Sequence, residues 1–203
     1  HLRQLARREK VVAIGEIGLD YYWKDNPPRA LQQNVFHRQL ELAQSLRLPV
    51  IVHDREAHGD SLAIVKEFPG VRGVFHCYSG SVEMAEELLK LGWMLSFNGA
   101  ITFKNARKAP EVIAAVPLER MMVETDAPYL TPVPFRGKRN DSGYVHLVAE
   151  KIAQLKENPA LATVPAIQND RIISVKLCEV FASSMTGSTV EKFAQAFHPD
   201  CFA

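Results

Sequence analysis

The run VVAIGE at residues 11–16 is apolar, rich in β-branched residues, and closes on the carboxylate of Glu16. Three further runs of this form end in His53, His76 and Asp126: LPVIVH at 48–53, VRGVFH at 71–76 and RMMVETD at 120–126. A parallel strand that is buried on both faces reads as such a continuous apolar run. Its carboxyl end lies where α/β folds build active sites. The pattern therefore predicts parallel strands with functional side chains at one edge.

Helix-like stretches alternate with these runs. A further strand-like run, WMLSFNG, occupies residues 93–99, and the helical patterns are found at 30–47, 60–68, 81–92, 106–116 and 144–157. In the first helical stretch Leu31, Val35, Leu42 and Leu46 lie near helical spacing. This alternation favours a parallel sheet or a barrel. Beyond residue 157 the alternation stops, and we find no chemical motif there.

Composition indicates a globular chain in a reducing compartment. Of the 203 residues, 47% are hydrophobic and 23% are charged, and the net charge is +1. Such a chain has no general basic surface for nucleic acid, so a polyanion would need a local basic patch or a metal. Three widely spaced cysteines argue against a disulfide framework. Without a signal peptide or a bilayer-spanning run, we expect a cytoplasmic protein that does not contact membranes.

The residues that close the four runs suit a divalent cation. Imidazole binds zinc-like metals, and carboxylates can bridge two ions. Each residue alone has a simpler explanation, because a strand-end carboxylate often caps a helix and a lone histidine is often a hydrogen-bonded core residue. Four such endings in four separate strand-like runs favour a metal site.

Five blocks carry a more specific signal. They are GEIGLDYYW at 15–23, PVIVHDREA at 49–57, FHCYSG at 75–80, VETDAPYLTP at 123–132 and PFRGKRN at 134–140. Together they resemble the TatD family of metal-dependent deoxyribonucleases, in order over residues 10–157. The resemblance implies a TIM-type (β/α) barrel of the metal-dependent hydrolase kind. With about five of the eight strands, we expect an incomplete barrel at residues 1–157 and a divergent tail at 158–203.

The resemblance also implies a reaction, the hydrolysis of DNA phosphodiester bonds with two divalent metal ions. In that reaction Glu16 would bridge the two ions, while His53 and His76 would bind one of them. Asp126 would bind metal and take the proton of the attacking water, since a carboxylate beside a cation stays ionised. Magnesium, manganese and zinc remain alternatives. DNA is the expected substrate, and no stable protein partner is implied.

Two features beside these residues are weaker candidates for binding substrate. Arg55 could grip a phosphate through its guanidinium fork, or it could be a structural ion-pair partner. Tyr22 and its neighbours Tyr21 and Trp23 could stack on bases, or they could cover the top of the barrel.

The remaining candidates are charged. Arg136 and Lys138, in a short basic cluster, could contact the DNA backbone, or they could belong to a solvated loop. Asp20 could orient groups around the metal site, or it could only stabilise its own turn. Glu124 would share a face with Asp126 in a regular strand, so either carboxylate could point into the site. Only the resemblance favours Asp126.

The sequence departs from the family in one respect that bears on activity. TatD proteins open with a strand that carries an HxH pair, and no HxH occurs in this chain. Two alternatives to the nuclease therefore stay open. One is a metal-dependent hydrolase of amide or small ester substrates, because metal ligands alone do not choose the electrophile. The other is a catalytically impaired remnant, a truncated chain that has lost about three strands.

Overall fold

The computed structural model describes residues 2–156, so the tail expected at 158–203 lies outside the described residues. The strands are β1 (Ile14–Asp20), β2 (Val50–Arg55), β3 (Gly73–Phe75), β4 (Met94–Phe97) and β5 (Met121–Val123). The helices are α1 (Leu2–Leu5), α2 (Arg29–Leu46), α3 (His58–Lys66), α4 (Val82–Lys90), α5 (Ala109–Ala115) and α6 (Val145–Leu155). Each strand and helix predicted before residue 157 is present, which confirms the α/β class.

The five strands form one sheet in the order β1-β2-β3-β4-β5. The pairs β1–β2, β2–β3 and β3–β4 are parallel. Consecutive parallel strands with a helix in each connection are the repeating unit of the TIM-type barrel. Within residues 2–156 the sheet has β1 and β5 as its outer strands.

The register of the sheet places His53 of β2 beside His76, the residue that follows β3. Val52 of β2 pairs with Ile17 of β1 and with Phe75 of β3. The next residue of each strand is therefore level with the others, and His53 and His76 become neighbours. The N–H of His76 donates to the Val52 carbonyl at 3.0 Å and continues the ladder past β3.

The expectation that each ligand-type residue closes its strand was wrong for Glu16, His53 and Asp126. Glu16 is the third residue of β1, and His53 is the fourth residue of β2. Both strands continue because their backbones stay paired as far as Asp20 and Arg55. His76 directly follows β3, as predicted, whereas Asp126 lies beyond the end of β5 at Val123.

The chain divides into two compact units, His1–Ser96 with Ala115–Met122 and Phe97–Ala114 with Val123–Ala203. In the first unit α2 buries Phe36, Leu40 and Ala43. Leu31 and Val35, whose spacing indicated this helix, are 52% and 42% exposed. Both side chains line a groove beside β1.

The second unit is built around α6. This helix packs against the 3-10 helix Gly99–Thr102. Its buried side chains are Val145, Val148, Ile152 and Ala153. Across residues 2–156, none of the helices combines the length and the apolar character that crossing a membrane would require.

Candidate metal centre

Side chains from three neighbouring strands of the first unit meet at one point. Glu16, His53 and His76 each offer one donor atom, and these atoms lie within 4.8 Å of one another. Nδ1 of His53 is 3.2 Å from Nε2 of His76. The Glu16 carboxylate lies 3.7 Å from Nδ1 of His53 and 3.5 Å from Nε2 of His76. Two imidazole nitrogens and a carboxylate form a donor set that fits a divalent transition metal.

The three side chains differ in their exposure. The His76 side chain is 10% exposed, whereas that of Glu16 is 53% exposed. Glu16 and His53 also line a groove of about 470 Å³ together with Asp20 and residues of α2. The cluster is thus buried at His76 and accessible to solvent at Glu16. A catalytic metal site needs such an open side, where water or substrate can enter.

Asp20 contacts the other nitrogen of His53. Its Oδ2 lies 3.3 Å from Nε2 of His53. A carboxylate in this position accepts the Nε2 proton and leaves the Nδ1 lone pair available for a metal. The Asp20 backbone is itself fixed by the Gln32 side chain of α2, which accepts from the Asp20 N–H at 2.9 Å and donates to its carbonyl at 3.0 Å. The structure thus gives Asp20 contacts beyond its own turn.

Gly18 allows β1 to approach β2 closely at His53. Its φ is +136°, and a Cβ built on it would lie 2.0 Å from the His53 carbonyl oxygen. An L side chain could not occupy that position without moving the strand. Gly18, the second glycine of the block GEIGLDYYW, is therefore required by the packing that brings the two strands together.

Asp54, next to His53, performs a structural task. Its side chain is 5% exposed. It accepts a hydrogen bond from Ser61 at 3.2 Å and lies 2.7 Å from Nδ1 of His58. These contacts join the end of β2 to the first turns of α3 and hold the backbone that carries His53. Residue types alone carried no signal for His58 or Ser61 in this role.

The aromatic residues after β1 have divided roles. Tyr21 donates its hydroxyl proton to Asp60 at 2.7 Å, and Gln33 donates to the same hydroxyl. Burial and the hydrogen bond to Asp60 raise the pKa of Tyr21, so the phenol remains a proton donor at neutral pH. Tyr21 therefore fastens the loop to α2 and α3. Tyr22 and Trp23 are 51% and 58% exposed.

Arg55 lies over these exposed rings. Its guanidinium carbon is 3.9 Å from the centroid of the Tyr22 ring and 5.4 Å from that of Trp23. The two rings pack edge to face at 4.8 Å. Within the described part of the first unit, Arg55 makes no ion pair.

Asp126 belongs to the second unit and lies in the loop after β5. Its φ is +57°, so it is not part of a regular strand, and the argument that Glu124 and Asp126 share a strand face was wrong. Asn140, which is 4% exposed, donates to the Thr125 carbonyl at 2.7 Å. The backbone N–H of Asn140 donates to the Pro128 carbonyl at 3.0 Å. Asn140 thus holds the turn around Asp126, a role that its residue type did not reveal.

The other candidate residues of the second unit also contact neighbouring side chains. Glu124 accepts a hydrogen bond from Asn98 at 3.2 Å. Arg136 stacks over Phe103, with 3.6 Å between the guanidinium carbon and the ring centroid. Lys138 lies 5.6 Å from the centroid of the Phe135 ring. Arg136 and Lys138 are exposed, so the aromatic contacts leave their charges accessible to solvent.

Comparisons with a family model and with individual known proteins point to the same family. The sequence model of the family described as TatD related DNase matches residues 1–172. A Bacillus subtilis protein named "uncharacterized metal-dependent hydrolase YabD" is 51% identical over 158 residues, which are 77% of this chain and 62% of that protein. The human protein named "3'-5' RNA nuclease TATDN2" is 39% identical over 84% of this chain and 23% of its own length.

A solved structure agrees with the sequence comparisons. The crystal structure of YJJV, described as a TatD homolog from Escherichia coli, superposes with a TM-score of 0.74 at 36% identity. The match covers 83% of this chain and 66% of the YJJV chain. This chain spans about three fifths of the length of the bacterial hydrolases that it matches.

Proposed function

The chain belongs to the family of TatD-related DNases, and from this premise we propose that it is a metal-dependent hydrolase that cleaves phosphodiester bonds in DNA. The observation that carries the proposal is the cluster of Glu16, His53 and His76, whose donor atoms lie within 4.8 Å of one another. Asp20 supports it, because a carboxylate on the outer nitrogen of a histidine is the usual partner of a metal-binding imidazole.

Each residue has a task that its chemistry suits. His53 would bind one ion through Nδ1, and His76 would bind the same ion through Nε2. Glu16 has two carboxylate oxygens and would bind both ions. Bound divalent ions lower the pKa of a water and neutralise the charge that develops on the phosphate oxygens. Asp126 would take the proton of the attacking water, since a carboxylate near a cation remains ionised at neutral pH.

Two observations favour a nucleic acid over an amide or a small ester. The human relative is named as a nuclease. One exposed cation, Arg55 at the end of β2, and two exposed aromatic rings, Tyr22 and Trp23 after β1, follow the cluster residues along the chain. Such groups suit a phosphate backbone and bases. Because the human relative is named as an RNA nuclease, RNA is the second candidate substrate.

A substrate panel tests the proposal. The 203-residue chain, stripped of metal, would be assayed with magnesium, manganese or zinc on single-stranded DNA, duplex DNA, RNA, a small phosphodiester and a small carboxylic ester. We expect turnover of DNA that EDTA abolishes and that added metal restores. Faster cleavage of RNA than of DNA would reassign the substrate. Turnover of the carboxylic ester alone, or no metal dependence, would contradict the proposal.

A further inference from the structure

The exposed aromatic pair after β1 has features that its packing does not require. Tyr22 and Trp23 are 51% and 58% exposed. Both rings therefore gain little stabilisation from burial. Their geometry is nevertheless held in place, because the Tyr22 N–H donates to Asp20 Oδ1 at 2.9 Å and Arg55 lies 3.9 Å from the Tyr22 ring centroid. An ordered but exposed aromatic surface is suited to a ligand with a flat apolar face.

The position of this surface relative to the metal cluster follows from the strand register. Arg55 pairs with Asp20 across β1 and β2, and His53 pairs with Gly18 two residues earlier. Residues two apart in a strand point to the same face and lie about 7 Å apart. Arg55 therefore projects on the same side of the sheet as His53, one step toward the carboxyl end.

Asp20 joins the two features directly. One of its oxygens lies 3.3 Å from Nε2 of His53, and the other accepts from the Tyr22 N–H at 2.9 Å. The carboxylate that orients a candidate metal ligand thus also sets the start of the aromatic loop. A molecule bound at the cluster and extending toward the carboxyl ends of β1 and β2 would therefore contact the aromatic rings and the Arg55 guanidinium.

We propose that Trp23, supported by Tyr22 and Arg55, is a stacking site for an unpaired nucleobase next to the bond that is cut. This rests on the proposed nuclease function and specifies the form of its substrate, a single strand or a frayed end. The guanidinium of Arg55 has no ion-pair partner within the described part of the first unit, and it complements the phosphate beside the stacked base. Stacking on an aromatic ring tolerates any base sequence, since every base has a π face.

The protein carries its own reporter for this site. Its two tryptophans are Trp23 and Trp93, and Trp93 is only 1% exposed. A base that stacks on Trp23 should therefore quench part of the intrinsic fluorescence and leave the Trp93 emission unchanged. The titration uses the 203-residue chain in EDTA, so binding is measured without cleavage. The probes are an oligothymidylate and an abasic strand of the same length and charge.

We expect quenching by the oligothymidylate and little or none by the abasic strand. Trp23→Phe should abolish the quenching but retain affinity in an anisotropy assay with labelled DNA, because it keeps a ring. Trp23→Ala should weaken binding by about 5- to 150-fold, the range that corresponds to the loss of one stacked base. Arg55→Lys, which keeps the charge but loses the planar group, should fall between native and Trp23→Ala.

Equal quenching by the abasic strand would overturn the proposal, and so would native affinity in Trp23→Ala. Metal-dependent cleavage is measured separately in the same preparation. Cleavage without base-dependent quenching would overturn the stacking site and leave the nuclease function intact. Base-dependent quenching without cleavage under any metal would overturn the proposed hydrolysis and support the stacking site as a binding surface.

Discussion

Oδ2 of Asp20 lies 3.3 Å from Nε2 of His53, and this contact selects the nitrogen through which His53 can bind a metal. If Nε2 donates its proton to Asp20, Nδ1 keeps its lone pair. Nδ1 is also the nitrogen that lies 3.2 Å from Nε2 of His76. The two contacts of one imidazole are therefore mutually consistent, with the carboxylate on one side and the candidate metal position on the other.

The first prediction concerns Asp20 as a positioning residue. Asp20→Ala should weaken metal binding by about 10- to 100-fold, because His53 would lose the partner that orients its ring. The measurement is calorimetric titration of zinc or manganese into the metal-free protein. Asp25→Ala is the matched control, since it removes the same charge from an exposed position in the loop that follows β1. Equal affinities for the two variants would show that Asp20 does not orient His53.

The cluster itself can be tested with a metal that reports its surroundings. Cobalt bound by imidazole and carboxylate gives a visible absorption spectrum, so occupancy can be followed without an activity assay. His76→Ala should lower the cobalt affinity by at least about 100-fold, more than the loss of an outer partner would. His146→Ala removes a histidine from α6 and should leave the spectrum unchanged. A native spectrum in His76→Ala would exclude His76 as a ligand.

Asp126 is predicted to act in the chemical step. Asp126→Asn should lower kcat for DNA cleavage by at least about 100-fold and leave DNA binding nearly unchanged, because a general base acts mainly in the transition state. Glu124→Gln is the matched control. Glu124 accepts a hydrogen bond from Asn98 at 3.2 Å, and glutamine keeps an acceptor oxygen for it. If Glu124→Gln lost more activity than Asp126→Asn, the two roles would be exchanged.

The residue types of the candidate site could be predicted from sequence because they interrupt apolar runs. A histidine that follows an apolar run such as PVIV or RGVF interrupts the pattern of a buried strand. The parallel register brings His53 and His76 side by side. The strand ends could not be predicted in the same way. β1 and β2 continue past Glu16 and His53 because backbone hydrogen bonds continue, and these bonds do not depend on side-chain polarity.

Contacts between distant residues were also beyond the sequence. The link from Gln32 to Asp20, and that from Asn140 to the loop around Asp126, are made by amide side chains. Amides occur throughout protein surfaces, so neither residue stood out. The expected equivalence of Glu124 and Asp126 failed because it assumed a regular strand, whereas β5 ends at Val123 and Asp126 adopts a positive φ.

The last prediction tests whether the close approach of β1 to β2 builds the cluster. Gly18 has a φ of +136°, and a Cβ there would lie 2.0 Å from the His53 carbonyl oxygen. Gly18→Ala combines a disfavoured backbone with a steric clash, and each costs about 1 to 3 kcal/mol. The strand must move to accept the methyl group, and His53 moves with it. We therefore expect a lower melting temperature together with weaker metal binding.

Gly59→Ala is the control for this substitution. Gly59 lies in α3, and a Cβ there has no neighbour within 4 Å. Alanine is favoured over glycine in a helix by up to about 1 kcal/mol, so Gly59→Ala should be neutral or stabilising and should bind metal normally. Thermal unfolding followed by circular dichroism, with metal titration of each folded variant at low temperature, separates the two effects. If Gly18→Ala lost stability but kept native metal affinity, the approach of the strands would serve the fold alone, because His53 would still reach its position beside Glu16 and His76.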